Sequence, residues 1–446
     1  RERPVWYYGN SGKRPGGNGV ETGLWMKGTG ISSGKIGAFN LKRSLIMDNK
    51  FNRLDNLLKK FAEEKTIPGC ACVVMQNDGI VYEGYYGFAD IASGKLITRD
   101  SMFRQEDASN LFASVVLGML YEEGKFLYSD PLSDYLPEYS NPKKFVFAAN
   151  GEMQAVPLSR PLTVRTAIAT MCGLPNIVLP TDHDSDNPTY AMMNQRLKDL
   201  YAKGVTPTLQ EEVRAMGGVP LMFEPYSHWD YGFGLQIADA VIEVITGKPL
   251  RQVYKERIIN PLGLKNTDTY ITADNAGRVV TAYHKNVDGS FTADGGELSR
   301  WYDPAKTPVG ARTMVVSSAE DYAIFMQMLA NGGTFKGQRF LAPGTVAMLM
   351  SNQLENHHYP DFVGGSDSKS RYCEGYGYSM GFRLVVRQKY GHNGHFDNFG
   401  GSGDLGTFVE ADPIAKLAMS YAHNMTPDEE IYHHHRVRAV TYGCAL

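Results

Sequence analysis

The sequence predicts an α+β fold: an antiparallel sheet built from both ends of the chain, flanked by helices and interrupted by a mostly helical insertion. Three observations carry this. The apolar runs Cys70–Met75 and Ile80–Gly87 are joined by Asn77-Asp78-Gly79, the strongest short-range hairpin signal. Helical spacing then dominates from about residue 100 to about 265. After residue 370 short strand-like runs return at 378–387, 406–411 and 416–422. The boundaries read as an irregular arm at 1–45, a sheet domain at 46–100 plus 300–446, and a mostly helical domain at 101–299.

The elements follow in order. Residues 1–45 are glycine-rich, with Trp6, Tyr7, Tyr8 and Trp25 scattered through them, and read as an extended arm. Residues 49–64 place Phe51, Leu54, Leu57, Leu58 and Phe61 on one helical stripe. Within the helical region, loops are expected at 137–160 and 176–195. Ala238–Thr246 is a helix stopped by Gly247 and Pro249, and Ala319–Ala330 one stopped by Asn331-Gly332-Gly333. A last helix covers the C-terminus. No internal repeat is visible.

Composition narrows the class. Of 446 residues, 43% are hydrophobic and 21% charged, the balance of a soluble globular protein. The net charge of −3 provides neither a nucleic-acid surface nor a polybasic membrane patch. No apolar run approaches the roughly 20 residues of a membrane span. The compartment stays open between cytoplasm and periplasm, as does the oligomeric state. Cys70 and Cys72 alternate in a strand-like run, so the five cysteines read as buried free thiols rather than a disulfide frame. No Cys/His cluster has zinc-ligand spacing, and His433-His434-His435 reads as a solvated face. No metal or organic cofactor is implied.

The stretch Phe103-Arg104-Gln105-Glu106-Asp107-Ala108-Ser109-Asn110 opens an apolar helix that Gly124 stops. Asp107 and Asn110 are three apart, hence on one face near an electropositive helix start. Taken alone, Asp107 reads as an N-cap.

The wider pattern resembles the serine β-lactamase and penicillin-binding-protein-like family, in its class C and esterase branch, from about residue 50 to 446. Phe103-Arg104 with Glu122-Glu123-Gly124-Lys125, Asp130-Pro131-Leu132 and Tyr135-Leu136-Pro137 is similar to the family's nucleophile helix and its exit. Leu162-Thr163-Val164-Arg165 to Gly173-Leu174 resembles the segment that follows, and Trp229-Asp230-Tyr231-Gly232-Phe233-Gly234 the tyrosine motif. Pro261-Leu262-Gly263-Leu264 and Ser317-Ser318-Ala319-Glu320-Asp321-Tyr322 complete the series. The resemblance implies a β-lactamase-like fold. It also implies a Ser-x-x-Lys pair at the helix start, the serine being the acyl nucleophile.

This chain departs from that pair. In the implied register Asp107 takes the serine position and Asn110 the lysine position. Ser109 does not restore it: Phe112 lies three residues on, and two helical positions turn Ser109 about 200° away. A hydroxyl without a base is a poor nucleophile, so the acyl-serine cycle is not expected. Ser to Asp and Lys to Asn make the cleft floor two charges more negative if Asp107 is ionised. At about 4 Å, two like charges cost about 4 kcal/mol at an effective dielectric of 20. Neutral polyols or cations therefore suit the floor better than anions.

Chemistry at Asp107 follows from this. With Asn110 donating to it and Tyr231 beside it, Asp107 is expected to be ionised and aimed, as the nucleophile of a glycosidase or transglycosidase. A second carboxyl is then required; Glu106, Asp230, Glu374 and Asp404 are candidates. Trp229 and Trp301 are candidate lining residues, and Arg312 a candidate for a ligand oxygen or for Asp107. The third family motif falls at His392-Asn393-Gly394, Asn398-Phe399-Gly400 or Gly401-Ser402-Gly403, which adds His392 and Ser402 as substrate-binding candidates. The substrate expected is an oligosaccharide or another small molecule. Two alternatives are a non-catalytic relative that binds a ligand in the same pocket, and an esterase or amidase with a displaced nucleophile.

Overall fold

The computed structural model describes residues 49–177, 179–182, 185–364, 373–387 and 392–446. The arm expected at 1–45 lies outside the described residues; Phe51–Leu446 forms one compact unit. Labelled in chain order, the elements that position the site are helix α1 (Asn52–Glu63), strands β1 (Gly69–Gln76), β2 (Gly79–Asp90) and β3 (Lys95–Leu96), helices α2 (Asn110–Glu122), α3 (Gly234–Thr246) and α4 (Ala319–Ala330), strands β4 (Tyr376–Tyr378), β5 (Arg383–Val385), β6 (Phe399–Gly403), β7 (Thr407–Asp412) and β8 (Leu417–Ala422), and helix α5 (Glu430–Ala445).

One antiparallel sheet runs in the order β4-β5-β6-β7-β8-β1-β2-β3, so the two ends of the chain meet where β8 pairs with β1. The expected hairpin is there. Asn77 and Asp78 both have positive φ (52° and 64°), the conformation a two-residue type I′ turn needs. Alternation along β1 divides two cores. Cys70, Cys72 and Val74 face α1 and α5, with Leu58, Phe61, Tyr421 and Val437. Ala71, Val73 and Met75 face the larger core of α2, α3 and α4. Cys70, Cys72, Cys172 and Cys444 are buried thiols, as expected.

Helix α2 is buried from Leu111 to Leu120, so it reads as apolar all round because it is covered all round. Phe112 anchors it, with its ring 4.4 Å from Phe325, 5.5 Å from Tyr254 and 5.8 Å from Tyr322.

Four expectations are corrected. The loop at 137–160 contains a hairpin, Lys143–Phe147 with Met153–Pro157, tied at its base by the Leu221 N–H to the Lys143 carbonyl at 2.8 Å. A helix, Pro188–Tyr201, begins inside the loop at 176–195, capped by the Asn187 side chain. The strand expected at 378–387 is two short strands, β4 and β5, turned at Gly381 with φ of 89°. His433 and His434 are buried, not solvated: His433 meets the Phe61 ring edge-on at 4.8 Å and His434 stacks on Phe408 at 5.0 Å. Burial pushes these imidazoles down, His433 to about 4, as it does His435, to about 3. Among the described residues no helix is long and apolar enough to cross a membrane.

Candidate active site

The site begins where the strand Met102–Arg104 ends. That strand pairs with Val316–Ser318, which pairs in turn with Thr267–Asp268. The chain then makes a 3-10 turn over Glu106–Ser109 and enters α2 at Asn110. The turn is fastened on either side of Asp107. The Gln105 N–H donates to the Val315 carbonyl at 2.9 Å, and the Val315 N–H donates to Ser109 Oγ at 2.9 Å. The Glu106 N–H donates to the Tyr302 hydroxyl at 3.2 Å, and that hydroxyl donates to Glu106 Oε1 at 2.9 Å. The Tyr322 hydroxyl donates to the Ala108 carbonyl at 2.6 Å. Glu106 holds a φ of 45°, a conformation few side-chain-bearing residues adopt, immediately before Asp107. Fastening on both sides is what sustains it.

Strand β6 lies along this turn. A Cβ on Gly403 would stand 2.3 Å from the Gln105 carbonyl oxygen, so only glycine allows the approach. Thr407 Oγ1, opposite Gly403, donates to the same carbonyl at 3.3 Å. β5 pairs with β6 only at Phe399 and Gly400, so the Gly401–Gly403 edge extends past that ladder. Asp404 follows, solvent-exposed in the turn to β7.

Asp107, Asn110 and Tyr231 come together as the sequence indicates, with different bonding. Asp107 makes no cap; the position before α2 is Ser109, without a side-chain capping bond. Asn110 Nδ2 donates to the Tyr231 hydroxyl at 3.2 Å rather than to Asp107, and the Tyr231 hydroxyl lies close enough to Asp107 for each to shift the other's proton affinity. The surroundings oppose the ionised state expected of Asp107. Burial deep in the cleft, then the charges of Asp404 and Glu106, push its carboxyl up to about 8, outweighing Tyr231 and Arg312, although part of the residue's surface still meets solvent. Glu106 is pushed up to about 7, chiefly by burial. Of the four candidate second carboxyls, Glu106 and Asp404 act on Asp107. Asp230 is raised instead by burial and Asp361, and Glu374 is exposed, its carbonyl accepting from His392 Nε2 at 2.9 Å.

Trp229 lines the aromatic side. Its ring lies 5.3 Å from Tyr378, 4.9 Å from Phe362 and 6.4 Å from Tyr231, and its backbone N–H donates to Asp361 Oδ2 at 3.2 Å. Tyr378 is buried in the aromatic cluster against which Trp229 and Tyr231 pack; burial, then the charge of Asp107, raises its hydroxyl.

Three other candidates are corrected. Arg312 is 3% exposed and turned into the core: it donates to the Ile177 carbonyl at 3.2 Å, lies over the buried Trp301 ring, and its charge faces Glu212 and Asp239 as well as Asp107. His392 is buried against Tyr376 and Arg438; burial and that guanidinium push it down to about 4. Ser402 sits opposite Phe408, on the α5 face of the sheet, while Gly401 and Gly403 face Leu111 and Gln105. Strand alternation turns its side chain away from Asp107. Asp404 and Glu106 earned no preference in the sequence because their proximity to Asp107 depends on how β6 meets the turn.

Comparison with known proteins agrees with the fold. The family model described as Beta-lactamase matches residues 54–442. Protein Rv1367c of Mycobacterium tuberculosis is 24% identical over 377 residues, covering 83% of this chain and 89% of that protein. Esterase EstB of Burkholderia gladioli is 23% identical over 296 residues, covering 63% of this chain and 70% of that protein. Among solved structures, EstCE1, a hydrolase with promiscuous acyltransferase activity, superposes with a TM-score of 0.69 at 21% identity, covering 87% of this chain and 97% of that one.

Proposed function

The chain belongs to the beta-lactamase family, and from that premise we propose that it is a hydrolase or transferase whose working group is Asp107, in the position its relatives give to serine, acting on a glycosidic bond. One observation supports the reading: the turn into α2 sets the Asp107 carboxyl beside the Asn110–Tyr231 pair, where burial, then the charges of Asp404 and Glu106, push it up to about 8. Two carboxyls whose surroundings differ are the means by which glycosidases divide acid and base duties.

An ester suits this floor poorly. Carboxylate attack on an ester yields a mixed anhydride, more reactive than the ester consumed. Serine chemistry is not available from Ser109, which is 1% exposed and whose Oγ accepts the Val315 N–H. An acetal suits it well. At neutral pH Asp107 carries a proton and delivers it to the glycosidic oxygen as the bond from the anomeric carbon breaks, so the leaving sugar departs as an alcohol. Asp404 faces the positive charge that develops on the ring and takes the proton of the incoming water or sugar hydroxyl. Tyr231, held by Asn110, keeps the Asp107 carboxyl aimed.

A panel of aryl glycosides and aryl esters tests the reading. Glycosides are expected to turn over and esters not. Because the acid must be protonated, kcat/KM is expected to fall above pH 8, the value to which Asp107 is raised. A rate that climbs with pH through that value would make the ionised form the working one and overturn the acid role.

A further inference from the structure

We propose that Glu106 is a positioning residue for Asp107: Tyr302 grips its backbone and its carboxyl together, and the conformation so held aims Asp107 and keeps a second carboxyl beside it. This rests on Asp107 being the working group, whatever bond it cleaves, and adds the residue that sets it.

The backbone of Glu106 is the first ground. Its φ of 45° is one that glycine or asparagine adopts far more readily than glutamate. Strain of this kind persists only where the surroundings over-determine it, and it gathers at functional sites. Here the surroundings are specific. The Tyr302 hydroxyl accepts the Glu106 N–H at 3.2 Å and donates to Glu106 Oε1 at 2.9 Å, so one oxygen fixes both the main chain and the side chain. Tyr302 is itself anchored. It is fully buried in a cluster with Met102, Val316 and Trp301, and its carbonyl accepts the Ile271 N–H at 2.7 Å. A return of Glu106 to negative φ would break this grip and re-aim the next residue, Asp107.

The carboxyl is the second ground. Glycine at this position would hold the turn without strain, so what glutamate adds is its side chain. Several groups face the two neighbouring carboxyls. Arg104, whose guanidinium lies 6.0 Å from the centre of the Tyr302 ring, favours the ionised form of Glu106, as the Tyr302 hydroxyl does; burial and Asp404 oppose it. Tyr231 and Arg312 favour ionised Asp107; burial, Asp404 and Glu106 oppose it. Glu106 is pushed up to about 7 and Asp107 to about 8. As pH rises, Glu106 therefore gives up its proton first, and its charge then resists release from Asp107. The pair keeps the proton donor loaded at neutral pH.

The test is a carbon-13 NMR titration of the Asp107 carboxyl in the full chain, which needs no substrate. It compares the parent with Glu106→Gln and Tyr302→Phe, each checked for folding by its melting curve. Glu106→Gln keeps an oxygen for the Tyr302 hydroxyl and removes the charge. The Asp107 midpoint is expected to fall by about one pH unit, and the alkaline limb of kcat/KM to move down with it. Tyr302→Phe keeps the carboxyl but releases it, and is expected to move the midpoint in the same direction. Should Glu106→Gln fail to fold, Glu106→Gly takes its place, since glycine suits a φ of 45°. An unmoved midpoint in the folded Glu106 variant, even with a lowered melting temperature, would overturn the proposal and leave the glycoside reading standing. A midpoint moved by the Glu106 variant but not by Tyr302→Phe would overturn the grip. Absence of turnover on every glycoside would overturn that reading without touching the titration.

Discussion

Asp107→Ala is expected to lower turnover of a glycoside by about 10²–10⁴-fold, the usual contribution of a positioned proton donor. The isosteric Asp107→Asn should be equally inactive, since an amide keeps the shape of the side chain and delivers no proton. The same substitution carries a stability signature. A carboxyl raised in the folded state to about 8 binds its proton more tightly there than in the unfolded chain. Between the ordinary aspartate range and that value the folded state therefore holds more protons, and stability falls as pH rises. Asp107→Asn escapes that loss. It should unfold at higher denaturant than the parent at about pH 9, by on the order of 2 kcal/mol, with the advantage shrinking toward about pH 5. Loss of activity with no such gain would mean that the carboxyl is needed for something other than its proton.

The second large effect belongs to the helix behind the site. Phe112→Ala is expected to cost about 3–5 kcal/mol, because a fully buried aromatic is removed and its neighbours cannot close the space. The ring is 0% exposed and touches Tyr254, Tyr322 and Phe325. Tyr322 is also the residue whose hydroxyl holds the Ala108 carbonyl. The loss should appear in denaturant unfolding and also in a weaker grip on the turn that carries Asp107. A cost below about 1 kcal/mol would show that α2 is anchored elsewhere.

Much of this site can be read from residue order, and the reason is locality. Asp107, Asn110 and Tyr231 sit in short stretches whose spacing fixes their seats, and they do meet. The hairpin at Asn77-Asp78 is equally local, since its turn needs positive φ at both residues. What local order does not carry is anything set across the sheet. The proton on Asp107 depends on burial and on Asp404, which β6 delivers from the far end of the chain. Ser402 falls on the wrong face by a single residue of register, the step that separates one side of a strand from the other. His433-His434-His435 reads as a polar run, yet α5 packs against α1 and the sheet, so Phe61 and Phe408 cover the first two rings. Arg312 and His392 have the right residue types for a ligand site, but buried partners consume them.

The account rests on a proton held by Asp107. The most direct measurement is a carbon-13 NMR titration of the aspartate carboxyls, with the Asp107 signal identified by its loss in Asp107→Asn. A midpoint at about 8 is expected. A midpoint in the ordinary aspartate range, about 4, would contradict it.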